Sequence, residues 1–471
     1  MKNKYTTLIS NTLLISIGTF GSKLLVFFMV RFYTDYLTTS QYGTADLITQ
    51  TANLLFPIIS FGITEGVFRF ALDTERDRKS IFTISFSVIT AGSLLFTVIA
   101  PLLNLINDFK NYVWLIIVYT LAACYHALCS QYIRAIGKTA FFAVQGIINT
   151  MLVIILNIIF LAFCNMGISG YVLSVVLADA FCALLIFIKE KLWKLLTRNI
   201  QKSDFTAMLR YSIPLIPTTV FWWITSVSDR YMVRGFIGSE ANGIYAVSYK
   251  LPTLLTLVST VFMQAWQFSA VTESDGDPKE HAKFFSTVWG SFQSVMFLVG
   301  SAVIVFAKPA MKILTTPDFY EAWKYVPLLS VAMIFTSFTN FAGTVYVVNK
   351  KSNVSFLTAL VGAVTNIILN FLLIPSPLGV QGAALATVAG YLLAFIIRAA
   401  IARKYIPFDL HSMHIAVNTV IIFVQTAIMI FEIKYWLVIE ILLLILLAAI
   451  NLKFIMGFIN KFLHSVIKKT T

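Results

Sequence analysis

About fourteen stretches of this chain are long and apolar enough to cross a bilayer, and together they use up most of it. They lie near 8–30, 45–68, 80–103, 112–134, 140–163, 168–188, 207–229, 243–268, 283–307, 325–348, 353–374, 380–402, 411–431 and 435–456. Backbone that crosses hydrocarbon must satisfy its own amides, so runs of this length are expected to be helices. Charged residues are only 12% of the 471, about half the share in a soluble domain. The predicted class is all-α integral membrane. The first run is too long for the apolar part of a signal peptide and ends in no small-residue cleavage site, so it is expected to stay as a helix.

The few charges sort by side. If the N-terminus is cytoplasmic, so is the C-terminus, and the cytoplasmic segments then hold about 25 Lys and Arg against about 8 outside. Most of that bias comes from 69–79, 189–210, 398–404 and the tail. The net charge of +14 is read as contact with anionic headgroups rather than with nucleic acid. Arg134 and Arg398 are expected to be anchors at cytoplasmic helix ends. Cys124, Cys129, Cys164 and Cys182 lack metal-pair spacing and are read as small hydrophobes, and no metal site is expected.

The longest connection, 189–206, contains Lys191-Leu192-Trp193-Lys194-Leu195-Leu196. Its helical spacing predicts an amphipathic helix on the cytoplasmic leaflet, and 458–469 predicts another. The expected organisation is a six-helix lobe over 1–190, a linker over 191–206, a second six-helix lobe over 207–405, and a helix pair with a basic tail over 406–471.

The lobes repeat. Leu37-Thr38-Thr39-Ser40-Gln41-Tyr42-Gly43 aligns with Ile237-Gly238-Ser239-Glu240-Ala241-Asn242-Gly243, an offset of about 200. Gly167-Ile168-Ser169-Gly170 aligns with Gly379-Val380-Gln381-Gly382 at about 212. Six helices per half give equivalent segments the same in/out sense, so the repeat is parallel.

The runs at 207–229 and 243–268 combine charges, prolines and amides. A charge at mid-bilayer costs roughly 3 kcal/mol or more, so a helix that keeps Lys250 about two turns in from its end is expected to face water or a polar ligand. The two runs read as half the wall of a translocation cavity, with the other half near the N-terminus.

Three features resemble the polysaccharide flippases of the multidrug/oligosaccharidyl-lipid/polysaccharide exporter superfamily. They are the N-terminal pattern Ser22-Lys23, Arg31, Tyr36-Leu37, Tyr42-Gly43, the mid-chain pattern Asp229-Arg230, Gly243, Tyr245-Ala246, and the six-plus-six-plus-two layout. The resemblance spans nearly the whole chain. It implies two six-helix lobes facing a central cavity lined by the first two helices of each, and a C-terminal pair that can form a groove for a lipid tail. It implies flipping of an undecaprenyl-pyrophosphate-linked oligosaccharide across a bacterial cytoplasmic membrane, with polysaccharide polymerase machinery and membrane lipids as partners. The lipid II flippase branch is a poorer match, because its arginine-rich first helix is represented only by Lys23 and Arg31.

Such a cargo needs cations for its diphosphate, a wet cavity for its sugars and an apolar cleft for its tail. Lysine and arginine suit phosphate, and Lys23, Arg31, Arg230 and Lys250 are the candidates. Snorkelling to headgroups is the competing reading. Asp46, Gln50, Asn53, Gln264 and Gln267 can hydrogen-bond sugars or partner a cation. Trp222, with Trp223 and Trp266, can stack on sugar rings or sit in an interfacial belt. Asp179, mid-helix among apolar residues, must pair, be protonated or hold a coupling H+ or Na+. Glu65 and Arg69 have i,i+4 spacing, which suits an inner gate or a surface ion pair. His126 is read as a satisfied polar group. Pro57, Pro214, Pro217 and Pro252 invite kinks, either static or hinged.

No catalytic residue, nucleotide-binding loop or cofactor is expected, and the chain is read as a transporter rather than an enzyme. The rivals are a multidrug/cation antiporter on the same fold, which favours buried carboxylates, a lipid II flippase, and a multispanning polysaccharide polymerase. The longest outer loop, 308–324, is short and its only acidic residues are Asp318 and Glu321, which disfavours the polymerase.

Overall fold

The computed structural model describes residues 21, 25, 27–73, 76–106, 109–272, 278–348 and 352–470, with backbone alone at 264–265, 267–272, 278, 347–348, 352–353, 355 and 458–470. No strand occurs among the described residues. The chain divides into two compact units, Met1–Val227 and Ser228–Thr471.

The first unit contains α1 (27–36), α2 (Thr39–Ile59), α3 (Ile63–Ala71), α4 (Arg78–Ile99), α5 (Val113–Ala135), α6 (Thr139–Asn157), α7 (Gly167–Lys189), α8 (Lys202–Ser212) and the start of α9 (Leu215–Phe236). α5 is central and packs against α2, α3 and α7. Its Leu115, Ile116 and Cys124 are fully buried. The second unit contains the rest of α9, α10 (Ser239–Ser248), α11 (Thr253–Thr272), α12 (Pro278–Val305), α13 (Ala307–Leu314), α14 (Val326–Val348), α15 (Ser352–Leu373), α16 (Val380–Tyr405), α17 (Ser412–Ile430) and α18 (Trp436–Thr470). Here α16 packs on α14 and α15, and α12 on α14 and α18. The core of this unit is aromatic. Trp289 has Phe338 and Phe341 at 5.0 Å, and Trp266 stacks on Phe341 at 5.0 Å.

Ten helices among the described residues are long and apolar enough to cross a membrane, and two bent pairs, α2–α3 and α10–α11, raise that to twelve. The first expected run lies largely outside the described residues. The seventh is split at Ile213-Pro214 into α8 and α9, and α9 carries Asp229, Arg230 and Arg234.

Local sequence explains the helix starts. Thr38 and Gln41 cap α2 reciprocally: Gln41 N donates to Thr38 Oγ1 at 3.2 Å, and Thr38 N donates to Gln41 Oε1 at 3.0 Å. Asp77 caps α4 by accepting from the amides of Lys79 and Ser80. The 200-residue offset falls on two helix starts, Thr39 and Ser239. The 212-residue offset falls on Gly167 and Gly379, which open α7 and α16 with φ of 52° and 53°. Several side-chain hydroxyls inside the spans, such as those of Ser85, Thr120 and Ser174, donate to the carbonyl four residues back and so need no outside partner.

Prolines mark the breaks. Pro57 lies in the last turn of α2, Phe61 and Gly62 turn left-handed with φ of 50° and 62°, and α3 leaves at 55°. Pro252 lies between α10 and α11, which are bent by 43°. Pro214 sits in the gap between α8 and α9, and Pro217 in the first turn of α9. Backbone close approach joins α15 to α16: a Cβ on Gly362 would lie 3.1 Å from Gly390 O, and one on Gly390 would lie 2.9 Å from Gly362 O.

The linker differs from expectation. Only a 3-10 turn, Leu192–Leu195, and then α8 from Lys202 are helical. The reason is competition from α4. Thr83 Oγ1 donates to Leu195 O, Thr197 N donates back to Thr83 Oγ1, and Gln201 N donates to Ser80 Oγ. Leu192 is buried, and Arg76 is paired with Asp204. The expected helix over 458–469 is instead the continuation of α18. Arg398 is not a surface anchor. It is 2% exposed and donates to Thr358 Oγ1 and Thr339 O.

Candidate functional site

In the first unit, α5, α6 and α7 bring together four polar side chains that composition alone would scatter. His126 Nδ1 lies 2.8 Å from Asp179 Oδ1, and His126 Nε2 lies 2.8 Å from Gln145 Oε1. Asn149 Nδ2 donates to the same Asp179 oxygen at 2.8 Å. Gln145 and Asn149 are i,i+4 on α6 and so share a face. Both imidazole nitrogens face acceptor oxygens as the amide is oriented. A neutral imidazole has only one N–H to give, so the group has room for one proton beyond a neutral His beside an ionised Asp. Asp179 is thus paired within its own unit, which is one of the three states its placement required.

In the second unit a more enclosed nest surrounds Asp229, which is 1% exposed. Its Oδ2 accepts from the hydroxyls of Tyr249 at 2.6 Å, Tyr245 at 2.7 Å and Thr387 at 3.3 Å. Its Oδ1 accepts from the Arg230 amide at 2.9 Å. Asn366 adjoins, donating to Thr387 Oγ1 and accepting from Ser228 and Asn370. Asn370 Oδ1 is buried with no hydrogen-bond partner among the described residues. A carboxylate, two amide oxygens and hydroxyls make an oxygen-rich set that suits a proton or a small hard cation.

Beside the nest, Arg230 is 9% exposed, with its guanidinium carbon 4.6 Å above the Tyr249 ring. This is a cation–π contact inside the unit. Lys250 follows Tyr249 in the gap between α10 and α11, half-buried at the bend rather than within a regular helix.

The other candidates are distributed more widely. Lys23 lies outside the described residues, as do the side chains of Gln264 and Gln267. Arg31 is about half exposed and forms an i,i+4 ion pair with Asp35 at 3.4 Å. Asp46 is buried on α2, Gln50 is half-buried and Asn53 is exposed. The Gln50 carbonyl accepts from Trp223 Nε1 at 3.0 Å, and Trp222 beside it is half-buried. Trp266 is 3% exposed and donates to Thr344 Oγ1, so it is a core residue and no sugar platform. Glu65 and Arg69 are both exposed on α3 and are not ion-paired with each other, because i,i+4 spacing permits a pair without enforcing one.

Sequence reading singled out Asp179 and His126 separately and missed that they are partners. It named Asp229 only as the neighbour of Arg230. The available signals were i,i+4 pairs of polar residues in apolar helices: Gln145/Asn149, Tyr245/Tyr249 and Asn366/Asn370. A further buried pair joins the last two helices, where Gln425 Nε2 donates to Glu440 Oε2 at 2.9 Å.

The sequence profile of the polysaccharide biosynthesis protein family matches residues 8–267, more than half of the chain. No curated protein sequence matches it. Among solved structures it is similar to the lipid II flippase MurJ in an inward closed conformation, with TM-score 0.72 and 15% identity, covering 96% of this chain and 100% of that one. It is similar to an inward-facing multidrug resistance MATE family transporter of the MOP superfamily, with TM-score 0.63 and 14% identity over 82% of this chain and 98% of that one. It is also similar to the Vibrio cholerae MATE transporter VcmN, with TM-score 0.60 and 13% identity over 85% and 97%. At such identities the likeness is one of fold. This multi-pass membrane protein therefore belongs to the polysaccharide biosynthesis protein family and has the transporter fold shared by MurJ and the MATE proteins.

Proposed function

We propose that this chain flips an undecaprenyl-pyrophosphate-linked oligosaccharide repeat unit across a bacterial cytoplasmic membrane, by alternating access, for surface polysaccharide biosynthesis. The observation that carries the reading is the placement of Lys250, in a chain of this family, at a bend where two apolar helices interrupt their backbone. A flexible ammonium on non-helical backbone at membrane depth is suited to a diphosphate, and such backbone is tolerated where it lines a polar space. Lys23, Arg31 and Arg230 are the further cations of the proposed site. The lobes 1–190 and 207–405 are its proposed moving parts, with both termini cytoplasmic. Coupling to H+ or Na+ is proposed at the Asp179–His126 pair or in the oxygen-rich nest of Asp229. Polymerase machinery would receive the flipped unit.

A second reading, lipid II as cargo, is favoured by the higher TM-score to MurJ than to the MATE structures named above. It shares the polyprenyl diphosphate and differs in the glycan. Lys250→Ala should lower surface glycan export about tenfold or more, as expected for loss of one charged contact, with unchanged protein in the membrane. Full surface polysaccharide in that variant would remove Lys250 from the site. Rescue of a lipid II flippase depletion by the unmodified chain would select the second cargo.

A further inference from the structure

The second unit holds a cavity of about 820 Å³ that the transport reading does not use. It opens between the start of α12, the loop joining α16 to α17, and the middle of α18, where that helix's apolar span ends at Gly457. The charge bias assigns all three places to the cytoplasmic side. Thr387, beside Asp229, lies 18 residues up α16 from Tyr405, roughly 27 Å at 1.5 Å per residue. The cavity therefore stands at the opposite end of the unit from that nest.

Its rim is basic. Lys279 and Lys283 are i,i+4 on α12 and so share a face, and Lys453 approaches from α18. Among the described residues neither Lys283 nor Lys453 is in an ion pair. Among the described residues lining the rim, the carboxylate is that of Asp409, which is turned to His411, whose Nδ1 is 3.0 Å away. The floor is apolar and fixed. Phe454 lies so close to α12 that a Cβ on Gly290 would meet its ring at 2.6 Å. The loop is pinned by Ser286 Oγ, which accepts from Asp409 N at 2.9 Å, and by Trp289 Nε1, which donates to Leu410 O at 2.9 Å. Phe408 is 1% exposed beneath it. The cavity is thus a preformed cleft, cationic at its mouth and apolar at its base.

From this we infer that the cleft binds the headgroup of an anionic phospholipid of the cytoplasmic leaflet. The phosphodiester sits among Lys279, Lys283 and Lys453, and the glycerol backbone lies against Phe454. Ammonium groups act as point-charge phosphate ligands, and the apolar floor selects an amphiphile over a free anion. A lipid seated there ties α18 to α12 and so steadies the C-terminal helix pair against the rest of the unit.

The test uses purified full-length protein in a non-ionic detergent, titrated with short-chain phosphatidylglycerol, short-chain phosphatidylcholine or inorganic phosphate, with the thermal unfolding midpoint as readout. Phosphatidylglycerol should raise the midpoint saturably, and the other two should not. The Lys279→Ala/Lys283→Ala/Lys453→Ala variant should need at least about tenfold more phosphatidylglycerol for the same rise. If the triple variant does not fold, each single substitution is titrated alone, and each should weaken the response. An equal response to phosphatidylcholine, saturation by inorganic phosphate, or an unaltered response in the lysine variants would each overturn the proposal. No glycan enters the experiment, so its outcome is separate from that of the export assay.

Discussion

At the scale of single residues, three carboxylates within apolar helices are each held by side-chain donors. Asp179 has His126 and Asn149, Glu440 has Gln425, and Asp229 has three hydroxyls and an amide. Removing an acceptor from such a set leaves buried donors unmatched, which costs more than the net worth of the bonds. Asp229→Asn keeps the shape but replaces one carboxylate oxygen with an NH2 that cannot accept, so either the two tyrosine hydroxyls or the Arg230 amide loses its acceptor. It should lower stability by about 1.5–3 kcal/mol, read from thermal unfolding in detergent. Asn53→Ala, at an exposed position, should have no such effect. Equal midpoints for the two variants would mean that the nest contributes nothing to folding.

At the scale of elements, the breaks are set by backbone chemistry. Pro57 gives α2 a point at which to end, but the 55° turn into α3 needs left-handed backbone, which Phe61 and Gly62 supply. The site is also crowded, since a Cβ there would lie 2.8 Å from the Ser212 carbonyl oxygen of α8. Gly62→Ala combines positive-φ strain with overpacking and should cost about 2 kcal/mol or more. A lowered unfolding midpoint measures this, and no change would show that the turn relaxes freely. A different tie holds the turn between α17 and α18. Lys308 Nζ on α13 donates to Glu432 at 2.6 Å and lies 4.0 Å from the Trp323 ring centre and 4.7 Å from that of Trp436. The hydrogen bond from Lys308, aided by its charge, holds the Glu432 carboxyl below its ordinary value of 4.5. Because the folded value is the lower one, the tie is intact above 4.5 and is lost as pH falls through the folded value. Tryptophan fluorescence should therefore show an acid transition below pH 4.5 that is absent in Glu432→Gln. The same transition in both proteins would place its cause elsewhere.

At the scale of the whole molecule, the charge bias makes one further prediction. A cytoplasm-active reporter fused after Thr471 should be active, and one inserted in the turn at 431–435 should be inactive. The reverse pattern would invert every side assigned above, including that of the lipid cleft. Much of this architecture was legible in the chain itself. Length and apolarity of the runs determine helices, because hydrocarbon leaves a backbone no other stable solution across it. Prolines and glycines located the bends, and the two offsets landed on helix starts at Thr39 and Ser239 and on the positive-φ glycines Gly167 and Gly379. These are local consequences of residue type. Partnership is not local. Nothing within 189–206 announces that Ser80 and Thr83 will take up its amides and carbonyl and replace a helix with a 3-10 turn. Nothing next to Arg398 says that it will be enclosed by Thr358 and the Thr339 carbonyl. Nor does spacing alone join His126 to Asp179 across 53 residues, or Asp229 to Thr387 across 158. The sequence by itself determined that the apolar segments are helices and where they bend, because each segment must satisfy its own backbone. Only the tertiary structure decided which polar side chains meet, because in an apolar medium a buried donor takes whichever acceptor the packing of other helices brings within reach.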